Sequence, residues 1–527
     1  MDRLGHPGPA LAAALRATTP ELSRAAEPFD ALVVGSGAAG GLAALLLTEA
    51  GLRVLLLEAG SPEVPNRPLS HRLLRSTARR FLSPDRIKAL DRRRQPIQSI
   101  CHAWAFAPEA FVDDVDCPYV TPPDRPFVWI RARQLGGRMT IPNHGRQYYR
   151  LGAADFAPTD GLSAPWPLLP GELDPWYALV ERRLGLVGAH DGLPWLPDGE
   201  LARVIEPTPA EAELQCAVAK RWPGYRAVVA RFAPPLDALE AAARTNRLLI
   251  RQGAIVREIE VDGSGRVRGV IWIDHQTGRE ARARASLVFL CASTLESTRI
   301  LLLSRSSRSP NGLGAASGVL GRCLMDHIKV EATGERPLLA PEPAPEQGRC
   351  LYLPRFDARE LAAPLPVRGF GVQIYHHPAN PDSAVFHASA YAEMLPRKDN
   401  QVTLDPRRRD AWGIPVLRID CAHSEAELAR SREQTAALRA LAEATGVTLT
   451  RLDETPAPPG ASIHECGTAR MGRDPADSVL DPYNQCWEAQ GLYVTDGACF
   501  PSQGTQNPTL TILALTARAC NHALQAQ

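Results

Sequence analysis

Two short stretches near the C-terminal end of this 527-residue chain hold side chains suited to moving a proton: "SIHECGTARMG" at 462–472 and "QNPTLT" at 506–511. His464 has the side chain whose unperturbed pKa, near ~6.5, lets it accept a proton around pH 7. Asn507, 43 residues further on, can donate an amide N–H without competing as a base. Each also has a plain structural reading. Alone, His464 reads as an ordinary core or surface histidine. Asn507 precedes Pro508, Thr509 and an apolar helical run over 509–524, where it would be the N-cap with Pro508 at the first helical position. Local sequence leaves both readings open. The rest of the chain must supply an electron acceptor and a scaffold that joins the two residues.

The acceptor is suggested at the other end. Residues 29–60 read "FDALVVGSGAAGGLAALLLTEAGLRVLLLEAG". "DALVVG" is a short apolar run ending in glycine, as a buried parallel strand would; an alanine- and leucine-rich helical stretch and a second apolar strand follow. Gly35, Gly37 and Gly40, with Ser36 and Ala38 between them, form G-x-G-x-x-G at the strand-to-helix turn. The first glycine permits the tight turn, the second lets backbone approach a pyrophosphate, and the third lets helix and strand pack closely. The helix N-terminus then offers free N–H groups and a positive dipole end to phosphates. Glu58, 18 residues past Gly40, closes the second strand where an acid can accept from ribose hydroxyls. The motif by itself fits FAD or NAD. More than two hundred residues separate this unit from the next buried strand, turn and helix, "RASLVFLCASTLESTRILLLS" at 284–304, and that late return suits a large flavoprotein.

Length predicts two or three domains. Lys plus Arg (59) and Asp plus Glu (58) nearly cancel, so charge gives no reason to expect nucleic acid or an anionic membrane as partner. The basic runs at 91–96 and 406–410 read as solvated loops. Eleven cysteines without a CxxC pair argue against a zinc ribbon, an iron–sulfur site or a disulfide framework and predict reduced thiols in a cytoplasmic protein, with no metal site. The N-terminal apolar run is too short for a secretory signal and no stretch is long enough to span a membrane. Residues 369–377, 384–395, 400–406 and 413–420 alternate apolar and polar, predicting an antiparallel sheet that forms one wall of a substrate pocket. A helix over 424–446 follows, opened by Ser424 and Glu427 in capping-box spacing. Gly136 and Gly137, in "RARQLGGRMTIPNHGRQYYR" at 131–150, fit a plain turn and a close approach to a flat cofactor equally well.

"HECGTARMG" followed by "QNPTLT", behind the glycine-rich start and "CASTLESTRILLLS", resembles the glucose–methanol–choline (GMC) oxidoreductases, FAD enzymes that oxidise alcohols. The resemblance spans 29–527 and rests mainly on the C-terminal pair. Within the family the chain looks most like bacterial sugar and glycoside oxidoreductases of the gluconate dehydrogenase large-subunit and pyranose or glycoside 3-oxidase type. "AEMLPRKDNQVTLDP" and "VTDGACFPSQGTQNPTLTILALTARA" also carry that likeness. It implies an α/β fold: a Rossmann-like FAD domain in three parts (29–160, 226–330 and 456–527), a surface segment (161–225) and an antiparallel substrate domain (331–455), after an N-terminal extension (1–28). His464 would be the catalytic base and Asn507 its partner, donating to the developing alkoxide as hydride passes to flavin N5. Asp496 and Gly497 would lie against the ribityl and pyrophosphate, Val256 against adenine, and Pro508 and Thr509 would open a helix aimed at the flavin's N1–C2=O edge. The expected substrate is a small-molecule alcohol, the final acceptor oxygen or another oxidant, with a cytochrome partner as one alternative. "GGRMTIPNHGRQ" departs from the family pattern at Pro142, Asn143 and His144, and the offset of His144 from Gly137 does not suit covalent flavin attachment. Rival readings are a flavin monooxygenase or NAD(P)H reductase, an electron-relay subunit, and a non-catalytic relative.

Overall fold

The computed structural model describes residues 9–15, 29–61, 92–141, 146–338, 346–357, 368–380 and 382–526. Residues 142–144, where the sequence departs from the family pattern, lie outside that set. Strands β1 (Ala31–Val34) and β2 (Val54–Glu58) flank helix α1 (Ala38–Glu49), as the glycine-rich segment predicts. β1 pairs in parallel with β2 on one side and with β4 (Leu287–Leu290) on the other. β3 (Leu248–Gln252) extends the sheet beyond β2, and Leu492–Val494 closes it beyond β4. Every residue of β1, β2 and β4 is buried. Such strands read as unbroken apolar runs because both faces of the sheet are covered. Ala39, Ala43 and Leu47 of α1 share one buried cluster with Ala519, Cys520 and Ala523 of the C-terminal helix.

The second sheet is antiparallel and six-stranded. Its order is Thr448–Leu452, β5 (His327–Pro337), β7 (Ser383–Glu393), β6 (Phe370–Asn380), Leu351–Phe356 and Val228–Val229. One face carries Ile328, Val330, Ala332, Val372, Ile374, Phe386, Ala388 and Ala390, all buried in the main core with Ala437, Leu438 and Leu441 of helix α2 (Glu425–Ala444). Ser424 caps α2: its Oγ accepts from Glu427 N at 3.3 Å, and Glu427 Oε2 accepts from Ser424 N at 2.6 Å. The expectation of a single sheet needs correction at its last two strands. Gln401–Arg409 and Pro415–Asp420 form a separate two-stranded sheet.

All eleven cysteines are unpaired. Among the described residues no helix is long and apolar enough to cross a membrane. The C-terminal helix α3 runs Thr509–Gln525, and no side chain caps its N-terminus.

The glycine turn is held by contact. A Cβ on Gly40 would stand 1.9 Å from the Gly35 carbonyl oxygen, whereas one on Gly41 would meet its first neighbour, the Ala238 Cβ, at 3.5 Å. Gly40→Ala should therefore cost at least the ~1–3 kcal/mol of an overpacked core. Gly41→Ala should be neutral or slightly stabilising, by up to about 1 kcal/mol. Thermal-unfolding midpoints of the two variants, measured side by side, check this; equal midpoints would contradict the packing.

Candidate active site

One cavity of about 1660 Å³ joins the two sheets. Roughly 300–1,000 Å³ suffices for a single small ligand, so this volume has room for a dinucleotide and a substrate together. At one end lie Gly35, Ser36, Gly37, Ala38 and Glu58; Gly137, Val256, Asp496 and Gly497 border it, and His464, Asn507, Pro508 and Thr509 stand further along. Of the sequence-predicted residues only Gly40 and Gly136 are absent from that lining. Gly40 closes the turn behind it, and Gly136 donates its N–H to Ser36 Oγ at 3.0 Å.

The cradle end suits a dinucleotide on geometric grounds. A Cβ on Gly37 would meet nothing within 4 Å, so open space faces this backbone, and one on Gly137 would come within 3.2 Å of Gly37 Cα. The paired glycines do two things here. They form a turn, with φ of 79° at Gly136 and 56° at Gly137, and they bring a second backbone against the glycine-rich loop. Glu58 is buried at the end of β2, accepting from Ser36 N at 3.1 Å, Gly60 N at 2.7 Å and the Ser36 hydroxyl. Burial raises its pKa, partly offset by those hydrogen bonds. Asp496 accepts from Ala498 N at 3.0 Å and Ser297 Oγ at 2.5 Å. A side chain at Gly497 would strike Glu465 O and Thr294 Oγ1, each at 2.7 Å.

At the other end the structure brings His464 and Asn507 together: Asn507 Nδ2 stands 3.1 Å from His464 Nε2. The capping role expected for Asn507 is not what its side chain does. Its Oδ1 accepts from Gln373 Nε2 at 2.6 Å, so none of that amide is turned to the helix.

The loop bearing His464 is held by residues that local sequence did not flag. Asp326 Oδ2 accepts from Gly460 N at 2.7 Å and Ser462 N at 3.1 Å, and its Oδ1 accepts from His464 N at 3.0 Å. These bonds hold Ile463 at φ 64°, a conformation that costs a β-branched residue on the order of 1–3 kcal/mol. Burial, then Glu465, pushes the Asp326 carboxyl up to about 6, against the backbone N–H bonds that favour its charge. Gln503 Nε2 donates to His464 O at 2.6 Å. Arg138, next to the paired glycines, reaches Ile463 O at 3.2 Å and Glu465 Oε2 at 3.0 Å. It thereby ties the cradle to the histidine loop. His327 Nδ1 lies 2.8 Å from His464 Nδ1. Asp326 and His327 are more than 130 residues from this loop in sequence, and only the start of β5 brings them to it.

The remaining wall is the polar face of the antiparallel sheet. Register sets Lys329 opposite Tyr391, Ser389 between Glu331 and Gln373, and His387 between Thr333 and Tyr375. Lys329 Nζ, Ser389 Oγ and His387 Nε2 converge on Glu331 Oε1 at 2.7, 3.2 and 3.3 Å. Burial alone would raise the Glu331 carboxyl, but His387 and Lys329 hold it below its usual range. Burial opposes the charge on Lys329, and Tyr391 and Glu331 more than offset that, leaving its pKa raised.

A Rossmann-type cradle opening onto a histidine and a polar sheet defines a nucleotide-dependent oxidoreductase. Residues 30–64 match the FAD-binding domain model, and 396–516 match the GMC oxidoreductase model. The chain is 29% identical to the 6'''-hydroxyparomomycin C oxidase of Streptomyces lividus, over 98% of this chain and 96% of that one. It is 26% identical to the 2-methyl-1,2-propanediol dehydrogenase of Mycolicibacterium austroafricanum, over 94% and 95%. The crystal structure of pyridoxine 4-oxidase from Mesorbium loti superposes with a TM-score of 0.61 at 22% identity, over 94% and 98% of the two chains, and so shares the fold. Over residues 396–516 this chain is thus similar to the GMC oxidoreductases. It is an FAD-dependent alcohol oxidoreductase.

Asp326→Asn would leave three buried N–H donors facing one acceptor oxygen, at a cost of about 1–3 kcal/mol for each group left unsatisfied. The expected result is a lower unfolding midpoint together with a loss of turnover greater than any rise in KM. Unchanged turnover would show that the loop does not depend on this carboxylate.

Proposed function

We propose that the enzyme oxidises a hydroxyl-bearing carbon of a sugar, glycoside or similarly polyhydroxylated molecule to a carbonyl, with His464 as base and Asn507 as hydrogen-bond donor to the same oxygen. The observation that carries this reading is the 3.1 Å meeting of Asn507 Nδ2 and His464 Nε2 on the cavity wall. A hydroxyl seated against both would displace their mutual contact, give its proton to the imidazole and accept from the amide. A well-placed general base is worth about 10²- to 10⁴-fold in rate. An amide N–H aimed at developing negative charge contributes further, because it needs no reorganisation as the charge forms.

FAD, when bound, supplies the acceptor for the hydride that leaves the carbinol carbon. Ser36, Gly37, Gly137, Glu58, Asp496 and Gly497 are the residues that would hold it, with Val256 bordering the same space. Asn507, Pro508 and Thr509 bring the N-terminal end of α3 to the cavity, and the positive end of a helix dipole favours negative charge there.

The polyhydroxylated class is supported by the sheet face. Lys329, Glu331, Gln373, Tyr375, His387, Ser389 and Tyr391 line the cavity from three adjacent strands. Buried polar groups of this kind bind hydroxyls well and are left unpaired by a plain alkyl chain. The aminoglycoside-type and diol substrates in the relatives' names agree with that class. Those names also cover both an oxidase and a dehydrogenase, so the class of final acceptor is a separate question.

Anaerobic titration with sugars, glycosides and simple alcohols, followed by the visible flavin band, tests the assignment. Bleaching by the polyols is expected, and the rate of colour return in air then separates oxidase from dehydrogenase. His464→Ala should keep its flavin and reduce it about 10²- to 10⁴-fold more slowly; a full rate would remove His464 as base. Glu331→Gln should raise KM more for a polyol than for a simple primary alcohol. Equal effects on both would take Glu331 out of substrate recognition.

A further inference from the structure

His327, at the head of β5, is fully buried and lines neither the glycine cradle nor the sheet wall, yet both its ring nitrogens are engaged. We propose that His327 is a positioning residue that fixes His464 in its Nδ1–H tautomer, so that Nε2, the nitrogen facing Asn507, carries no proton and can accept one from the substrate. This rests on the reading of His464 as base.

The tautomer follows from what each partner can donate. His327 Nε2 lies 3.0 Å from the Gly504 carbonyl oxygen. A carbonyl only accepts, so Nε2 carries the proton. A neutral His327 then has a lone pair on Nδ1, and the 2.8 Å contact between the two Nδ1 atoms requires His464 Nδ1 to be the donor. Burial holds His327 down to about 4, which keeps it neutral across the working range. The contacts at the opposite end run in the same sense. Tyr375 O–H donates to Gln373 Oε1 at 3.2 Å, Gln373 Nε2 donates to Asn507 Oδ1 at 2.6 Å, and Asn507 Nδ2 then donates to His464 Nε2. Both ends leave Nε2 without a proton. The tautomer of a histidine is set by the hydrogen bond that its other nitrogen makes. Without His327, His464 could carry its proton on Nε2 and turn an N–H toward the substrate instead of a lone pair.

Other titratable groups surround the pair. The Tyr391 ring on β7 is centred 5.6 Å from that of His464 and 5.9 Å from that of His327. Lys329 on β5 is paired with Glu331. Asp326 and Glu465 flank the two histidines in sequence, Glu465 being paired with Arg138. Glu393 on β7 accepts from Gln503 N and Gly504 N. The nitrogen at issue, His464 Nδ1, faces His327.

The test compares His327→Leu with His327→Gln in the flavin-loaded enzyme. The leucine removes the acceptor; the glutamine amide spans both roles, with N–H toward Gly504 and oxygen toward His464. The expected loss for His327→Leu is about 10- to 100-fold in anaerobic flavin reduction, with flavin content and KM little changed. The acid limb of the kcat/KM profile should also move to lower pH by about one unit. The direction is downward because an imidazolium N–H is the stronger donor, so an acceptor at Nδ1 favours protonated His464 and its loss disfavours it. His327→Gln should recover much of both. A rate loss with an unmoved acid limb, or one matched by flavin loss, would make His327 merely structural. If His327→Leu does not fold, ring-nitrogen NMR of the wild-type holoenzyme decides between the tautomers, with the His464 signal assigned by its disappearance in His464→Gln. An Nδ1–H resting tautomer is expected and an Nε2–H one overturns the proposal. Full activity of His464→Ala would instead remove the base reading, an outcome distinct from either.

Discussion

A backbone carbonyl can accept a hydrogen bond and cannot give one, and at Gly504 that limit sets the sense of every contact that follows. His327 must donate to it, so His464 must donate to His327, and the far nitrogen of His464 is left to accept. The same sense runs inward from Tyr375 through Gln373 and Asn507. A line of neutral groups polarised in one direction strengthens its own members. It also avoids the cost of holding an unpaired buried charge next to a group that must change charge during turnover. The carbonyl itself is fixed by its neighbours, since Gln503 N and Gly504 N both donate to Glu393 Oε1, at 2.9 and 3.1 Å.

The two sheets serve this line in different ways. The parallel sheet is apolar along β1 and β4 and brings the glycine turn and Glu58 to the cavity. The antiparallel sheet keeps its apolar residues toward α2 and its polar residues toward the cavity, because strand side chains alternate. A shift of one residue in β5 would put Ile328 and Val330 on the cavity and bury Lys329 and Glu331 against α2. The large buried surface on the helix side therefore fixes the register of the polar side. Charges on that wall are paired rather than isolated, which is the condition for holding them in a half-dry cavity at tolerable cost.

The glycine turn, β1, α1 and β2 were legible because each rests on local rules of a few residues' range: apolar run, turn, helix, apolar run. Glu58 came with them, placed by its distance from Gly40. β6 and β7 of the second sheet were legible for the same reason, as was the box of Ser424 and Glu427. Strand partners were not, since pairing is a long-range choice; Gln401–Arg409 left the predicted sheet to pair with Pro415–Asp420. His464 and Asn507 were marked by resemblance rather than by any local signal. Asp326, His327 and Gln373 were missed altogether. Nothing in "MDHIKVEAT" distinguishes a positioning histidine from an ordinary one until β5 is set beside residues 460–464. The available hint was the placing of two adjacent polar residues at the head of an alternating strand.

Asn507 shows why a local rule can fail where chemistry is at stake. An asparagine before a proline at a helix start satisfies every condition for an N-cap, and losing such a cap costs typically about 1 kcal/mol. Here the amide is held instead between Gln373 and His464, and α3 starts without a side-chain cap. The helix can bear this because most of its length is buried: Leu510, Leu513, Ala514, Leu515, Ala517 and Ala519 are all in the core. Burying a single leucine side chain contributes about 1.5–3 kcal/mol, more than the cap would. Packing along α3 thus frees its first polar side chain from holding the helix. The deep burial of a plain C-terminal helix and the availability of one amide at the cavity are two ends of the same arrangement.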